Sequence, residues 1–224
     1  MPRRKFAVIG VGQFGSAIAK KLSEKNSEVL AIDIDEEKVE SIKDEVSYAV
    51  TLDSTDIKAL ASQNVSEMDA VVVSIGANFQ CLLLTTFVLQ ELNVKRIIVR
   101  AQGPTQRKIL EKMGVTEILS PEDEVASNIA ENLMNPNVLM CMELPDDYEI
   151  LEVKCPPALH NRTLQDIALR EKYKVNLITV LQTKENGEMH IVGVPQSETI
   201  LHSQDLIVVF GKTANINRFM DINQ

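Results

Sequence analysis

Six residues near the start of the chain, Gly10-Val11-Gly12-Gln13-Phe14-Gly15, form a G-x-G-x-x-G run between an apolar strand segment and a helical segment. This spacing suits phosphate binding. Gly10 permits a tight turn, Gly12 lets backbone approach a phosphate, and Gly15 lets a helix pack closely on its strand. The helix that follows would present unpaired N–H groups and the positive end of its dipole to an anion. A second element stands 18 residues beyond Gly15, where the next apolar segment ends at Asp33. A carboxylate there can accept from both ribose hydroxyls and repels a 2′-phosphate. Together these residues predict a ligand with adenosine and an unmodified ribose. NAD, ADP, ATP, AMP and S-adenosylmethionine all offer that group.

The elements positioning these residues alternate. Lys5–Gly10, Glu28–Asp33, Val46–Leu52, Asp69–Ile75, Lys95–Arg100 and Glu117–Leu119 read as strands. Helical spacing separates them at Gln13–Lys25, Asp35–Lys43, Asp56–Ser62, Asn78–Leu92 and Pro104–Met113, and Pro121 opens a further helix. This predicts an α/β fold with a Rossmann-like, doubly wound parallel sheet. Ligand crevices in such sheets lie at the strand ends, which adds Asp53, Ala77, Asn78 and Arg100 as candidates. Asn78 could equally cap the helix it precedes, and Arg100 could equally form a surface ion pair.

Asn135-Pro136-Asn137 breaks the last helix, so we place a boundary between domains 1–136 and 137–224. The second part predicts a small α+β domain. It has strands at Glu149–Cys155, Asn176–Gln182, Glu188–Val194 and Asp205–Phe210, with helices at Thr163–Lys172 and Thr213–Met220. Asn186-Gly187 is a hairpin turn signal.

Composition narrows the function. The chain has 224 residues and a net charge of −9, shared almost evenly by its two parts, so neither carries the basic surface that nucleic acid requires. Aromatic residues are 4% with no Trp, too few for base-stacking platforms. No apolar run has the length of a membrane span or a signal sequence. Cys81, Cys141 and Cys155 form no C-x-x-C pair, so a reduced, cytosolic protein is expected. All three His fall in the second part at unrelated spacings, and no catalytic constellation accompanies the nucleotide motif. A sensor is therefore favoured over an enzyme. The alternatives are an NAD-dependent oxidoreductase, which lacks a hydride or proton-transfer site, an NAD(H)-sensing regulator, and a redox-responsive DNA regulator, which lacks a helix-turn-helix and a basic surface.

The segments FAVIGVGQFGSAIAKKL, EVLAIDIDEEKV, VVVSIGANFQ, IIVRAQ, LEKMGVTEILSPEDEVA and QDLIVVFG resemble the regulator-of-potassium-conductance (RCK, or TrkA-N) domain followed by a TrkA-C-like module. The chain as a whole resembles the KtrA-type gating-ring subunits of bacterial Ktr/Trk potassium uptake systems. The resemblance implies a non-enzymatic, cytoplasmic regulator bound to the inner membrane face through a separate potassium-translocating protein. It implies homodimers assembling into an octameric ring, with ATP and ADP, or NAD and NADH, as ligands. The nucleotide contacts it implies are Gly10, Gly12, Gln13, Phe14, Gly15, Asp33, Asp53, Ala77, Asn78 and Arg100. Glu122 is implied as the ligand of Mg²⁺ or another cation beside the phosphates. Cyclic di-AMP is implied as a candidate second ligand, at Leu164, Gln165, Arg170, Val175 and Pro195. One departure is Gln13, where such proteins carry Arg. A neutral amide binds a terminal phosphate less strongly than a guanidinium, which raises ADP, AMP and NAD relative to a triphosphate.

Overall fold

The central apolar strand segments of the first half are buried on both faces, and their alternate residues enter two different cores. The computed structural model describes residues 3–134, 136–183 and 188–223. The first elements are β1 (Lys5–Ile9), α1 (Gln13–Glu24), β2 (Glu28–Asp33), α2 (Glu36–Ile42), β3 (Tyr48–Thr51) and α3 (Ile57–Ser62). They continue as β4 (Ala70–Val73), α4 (Phe79–Glu91), β5 (Ile97–Arg100), α5 (Gly103–Lys112), β6 (Glu117–Leu119) and α6 (Pro121–Met134). The six strands form one parallel sheet in the order β3-β2-β1-β4-β5-β6. On one face Ala7, Ile9, Leu30, Ile32, Val71 and Val73 pack with Leu60, Leu82, Leu89 and Leu110 of α3, α4 and α5. On the other, Val8, Val29, Ala31 and Val72 pack with Ala19 and Ile42 of α1 and α2. Side chains point alternately along a strand, so a sheet covered twice needs an unbroken apolar run. Three of the helix starts expected from sequence carry side-chain caps. Asp35, Asp56 and Asn78 accept from backbone N–H groups of the first turns of α2, α3 and α4.

The chain divides into two units, Met1–Asp123 and Glu124–Gln224. The second contains β7 (Val138–Leu144), β8 (Tyr148–Lys154), β9 (Arg162–Thr163), α7 (Leu164–Ile167), α8 (Leu169–Tyr173) and β10 (Asn176–Thr183). These are followed by β11 (Met189–Ile191), β12 (Ile200–Leu201), β13 (Leu206–Lys212) and α9 (Thr213–Asn223). An antiparallel sheet runs β11-β10-β13-β8-β7, beside a short β12-β9 ribbon. Here burial alternates along β8 and β13. Leu151, Val153, Ile207 and Val209 share a core with Ile167, Leu169, Ile216 and Phe219. The strands flanking Asn186-Gly187 do pair, Leu181 opposite Ile191; that turn itself lies outside the described residues.

The second unit departs from the sequence expectation in three places, the first being the β9–β12 ribbon, for which no strands were expected. No strand was expected at β7, an edge strand with Leu139, Met140 and Met142 exposed and its register shifted between Val138 and Met140. Its pairing comes from β8 rather than from an alternating pattern of its own. The helix expected over Thr163–Lys172 is broken at Ala168, which has φ 53°. Ile167 and Leu169 are both buried. Residues two apart on a continuous helix point away from each other, so the left-handed break turns both into one core. A left-handed alanine is strained by about 1–2 kcal/mol. We therefore expect Ala168→Gly to stabilise the protein by about 0.5–1 kcal/mol, since the greater unfolded-state entropy of glycine offsets part of the strain relieved. A higher urea midpoint at unchanged slope is the readout.

Cys155 is 4% exposed. Burial, helped by the Asp205 carboxylate, pushes its thiol from an ordinary value of 9.0 up to about 12. A raised thiol value means that the folded state favours the neutral form. Its contribution to stability is complete below pH 9 and is lost as pH rises towards 12. Peptide mass mapping at pH 8 should find Cys155 unmodified by iodoacetamide in native protein and modified after unfolding.

Candidate functional site

The glycine turn lies at the C-terminal end of β1, where the strand order reverses between β1 and β4. Gly10 has φ +89°, and a Cβ there would lie 2.9 Å from the Ile75 nitrogen. Gly15 sits so close beneath the turn that its Cβ would lie 1.9 Å from the Gly10 carbonyl oxygen. Around Gly12 the reverse holds: no atom lies within 4 Å of where its Cβ would be. Gly12 is also the N-cap of α1 and supplies no side-chain cap. The first N–H groups of α1 therefore face open space with no acceptor of their own helix. Ser74, just after β4, donates through Oγ to the Gly10 carbonyl at 2.5 Å and holds the turn against the sheet.

Asp33 ends β2 and is buried to 9% exposure. Its Oδ2 accepts from the Val11 N–H at 2.8 Å and its Oδ1 from the Asp35 N–H at 3.0 Å. One carboxylate thus links the glycine turn to the start of α2. A carboxylate has about four acceptor sites, so two bonds leave capacity for ribose hydroxyls.

The remaining strand-end residues differ in how committed they are. Asp53 accepts from both the N–H and the hydroxyl of Thr55 through Oδ1, and these bonds hold its carboxyl below the usual range. Asn78 caps α4 by accepting from the Cys81 N–H at 3.1 Å, which leaves its NH₂ as donor. Ala77 is exposed beside it. Arg100 ends β5 with its guanidinium 5.1 Å above the Phe14 ring, close enough for cation–π attraction. Its Nη2 donates to Glu122 in the first turn of α6, and that bond holds the Glu122 carboxyl below the usual range. Arg100 Nη1 and Gln102 Nε2 lie 3.5 and 3.4 Å from the position of a Cβ on Gly76.

The first unit therefore brings Gly10–Gly15, Asp33, Arg100 and Glu122 into direct or adjacent contact. Gln102 and Ser74 join them without having been expected; for Ser74 the signal was its place between an apolar strand and Ile75-Gly76. Among the described residues, no three His, Cys, Asp or Glu side chains gather as a metal site. Glu122 has Arg100 as its partner in this chain.

In the second unit, Leu164, Gln165, Arg170 and Val175 line one cavity of about 490 Å³. Pro195 is not among the lining residues. Arg170 donates from Nε to Asn176 Oδ1 at 2.7 Å. Among the described residues, no helix is long and apolar enough to cross a membrane.

The open turn over Gly12, the buried Asp33 acceptor and the guanidinium at the β5 end fit an adenine nucleotide. Comparisons with known proteins agree with the two-unit organisation. The TrkA-N domain matches residues 6–121 and the TrkA-C domain residues 149–224. The Ktr system potassium uptake protein C of Bacillus subtilis is 38% identical over 97% of this chain and 96% of its own length. The Ktr system potassium uptake protein A of the same organism is 38% identical over 96% of this chain and 95% of its own. Among solved structures, the GsuK channel bound to NAD superposes with a TM-score of 0.67 at 16% identity, covering 99% of this chain and 39% of that one. That last likeness is one of fold, and the chain spans well under half the length of the channel. By sequence along nearly its whole length, this chain belongs to the TrkA-N/TrkA-C family that includes the Ktr system potassium uptake proteins.

Proposed function

We propose that this chain is a cytoplasmic, non-enzymatic regulatory subunit that senses adenine nucleotides and gates potassium transport through a separate membrane protein. The observation that carries the reading is the Asp33 carboxylate, buried between the glycine turn and α2 with acceptor capacity left over. The potassium uptake named for relatives at 38% identity supports the transport role. The functional unit is a homodimer assembling into an octameric ring, docked on the inner face of the membrane through the potassium-translocating partner.

In this reading the turn from Gly10 to Gly15, with Gln13 and Phe14, holds the phosphates. Asp33 holds the ribose, and Asp53, Ala77, Asn78 and Arg100 line the crevice. Mg²⁺ or another cation arrives with ATP and is held partly by Glu122. ATP and ADP are the expected ligands. Because Gln13 brings an amide rather than a guanidinium, AMP, NAD and NADH are the competing ones. Cyclic di-AMP is a second ligand for the cavity of Leu164, Gln165, Arg170 and Val175; Pro195 lies outside that lining.

Calorimetric titration of ATP, ADP, AMP and NADH, with and without Mg²⁺, tests the reading. We expect ATP and ADP to bind, with Mg²⁺ acting mainly on ATP. Preference for NADH or AMP would change the signal sensed. Binding of none of the four, or turnover of NADH with a small carbonyl, would overturn the reading. Within this set, Glu122→Gln should abolish most of the Mg²⁺-dependent gain for ATP while leaving adenosine binding in Mg²⁺ unchanged. Absence of cyclic di-AMP binding at tens of micromolar would remove the second ligand.

A further inference from the structure

Among the described residues, one buried side-chain nitrogen or oxygen lacks a hydrogen-bond partner: Nε of Arg100. A buried donor without an acceptor is costly, more so on a charged group. The rest of the guanidinium is constrained. Its face lies over Phe14, its Nη1 is turned towards the bare backbone of Gly76, and its Nη2 is bonded to Glu122. The Arg100 side chain is 16% exposed, and that of Glu122 is 52% exposed. The edge formed by Nε and Nη2 is the one that grips a carboxylate or phosphate with two parallel bonds. In this chain the edge is half used, with one carboxylate oxygen on Nη2 and nothing on Nε.

We infer that Glu122 is an internal placeholder on the Arg100 edge, and that a phosphate group of the ligand displaces it to take Nε and Nη2 together. The inference rests on the nucleotide reading for the identity of the ligand, but its geometry concerns phosphate alone. Glu122 then acts on phosphate-bearing ligands by opposing them. Adenosine, which has no group for this edge, is untouched. The same displacement frees the Glu122 carboxylate when phosphate arrives, which is when a cation would require it.

The test is binding to the full-length protein in EDTA, so that no divalent cation is involved. ADP and inorganic pyrophosphate are the probes, with adenosine as the control. Glu122→Gln should tighten ADP and pyrophosphate by about three- to fivefold, the scale of a partly exposed ion pair, and leave adenosine unchanged. Asp123→Asn removes a neighbouring charge without touching Arg100 and should give little gain. Adding Arg100→Lys to Glu122→Gln should abolish the gain, because an ammonium cannot present two parallel donors.

Unchanged or weaker ADP and pyrophosphate binding in Glu122→Gln would overturn the inference. So would an equal gain in Asp123→Asn, which would mean general electrostatics. Pyrophosphate tightening with no binding of ADP or adenosine to any variant would keep the inference and overturn the nucleotide reading. Failure of all three probes on every variant would overturn both.

Discussion

Gly15→Ala should destabilise the first unit by about 3 kcal/mol or more, and lower its thermal midpoint by on the order of 10 °C. The added methyl would lie 1.9 Å from the Gly10 carbonyl oxygen and 2.4 Å from Ser74 Oγ. Neither neighbour can retreat cheaply. Gly10 is held by its N–H to the Ile32 carbonyl at 2.8 Å, and its carbonyl accepts from Ser74. Gly10 also occupies a left-handed conformation pressed against the backbone of Ile75. Relief would require α1 to move off the sheet, which would open the core that Ala19 shares with Val8 and Val72. Gly12→Ala is the matched control. Gly12 has φ −66°, and no atom lies within 4 Å of the added carbon. Its stability should remain within about 0.5 kcal/mol of wild type, while nucleotide binding weakens because the methyl fills the space left for phosphate. Equal destabilisation by the two substitutions would contradict this division between a packing glycine and a ligand-facing one.

That division shows how far the sequence alone could be read. The G-x-G-x-x-G spacing locates all three glycines and the crevice, because Gly10 and Gly15 answer local steric demands and Gly12 keeps the turn open. The parallel sheet was legible for a similar reason: runs such as Ala-Val-Val-Val in β4 have no polar face to spare. Less legible were features made by partners distant in the chain. Arg100 and Glu122 are 22 residues apart, and nothing in either neighbourhood announces the other. Gln102 enters the crevice because β5 ends beside Gly76, a fact of sheet order rather than of local pattern. In the second unit, Leu164 to Tyr173 consists largely of good helix formers, so propensity spoke for one helix. The break at Ala168 answers to the core around Ile167 and Leu169, and alanine carries no mark of it. Edge strand β7 is likewise a product of β8. Arg100 and Asn78 each had two readings by sequence. The structure shows the ion pair and the cap, and the free Nε and NH₂ leave the ligand-facing role compatible with both.

Asp33→Ala should raise the dissociation constants of ATP, ADP, AMP and NADH together, by about 10- to 100-fold, the worth of hydrogen bonds from hydroxyls to a charged acceptor. The uniformity is the informative part. All four ligands share adenosine and its ribose, so whatever Asp33 contributes, it contributes to each. A contact of equal strength in every ligand adds affinity and shifts no equilibrium between conformations. Switching must then arise where the ligands differ, at the terminal phosphate, which in the proposed arrangement faces Arg100 and Glu122. Asp33 also accepts from Val11 and Asp35, so its loss releases two backbone donors. Asp33→Asn separates the two roles. Its remaining carbonyl oxygen can keep the Val11 bond and hence the turn, while its uncharged amide binds ribose hydroxyls more weakly. We therefore expect Asp33→Asn to melt nearer wild type than Asp33→Ala, yet to lose most of the same affinity. The negative charge that would repel a 2′-phosphate also disappears in both variants, so NADPH should gain relative to NADH. A loss confined to ATP and ADP, with AMP spared, would transfer Asp33 from the ribose to the phosphates. Selection among nucleotides would then begin at β2 rather than at the ends of β5 and α6.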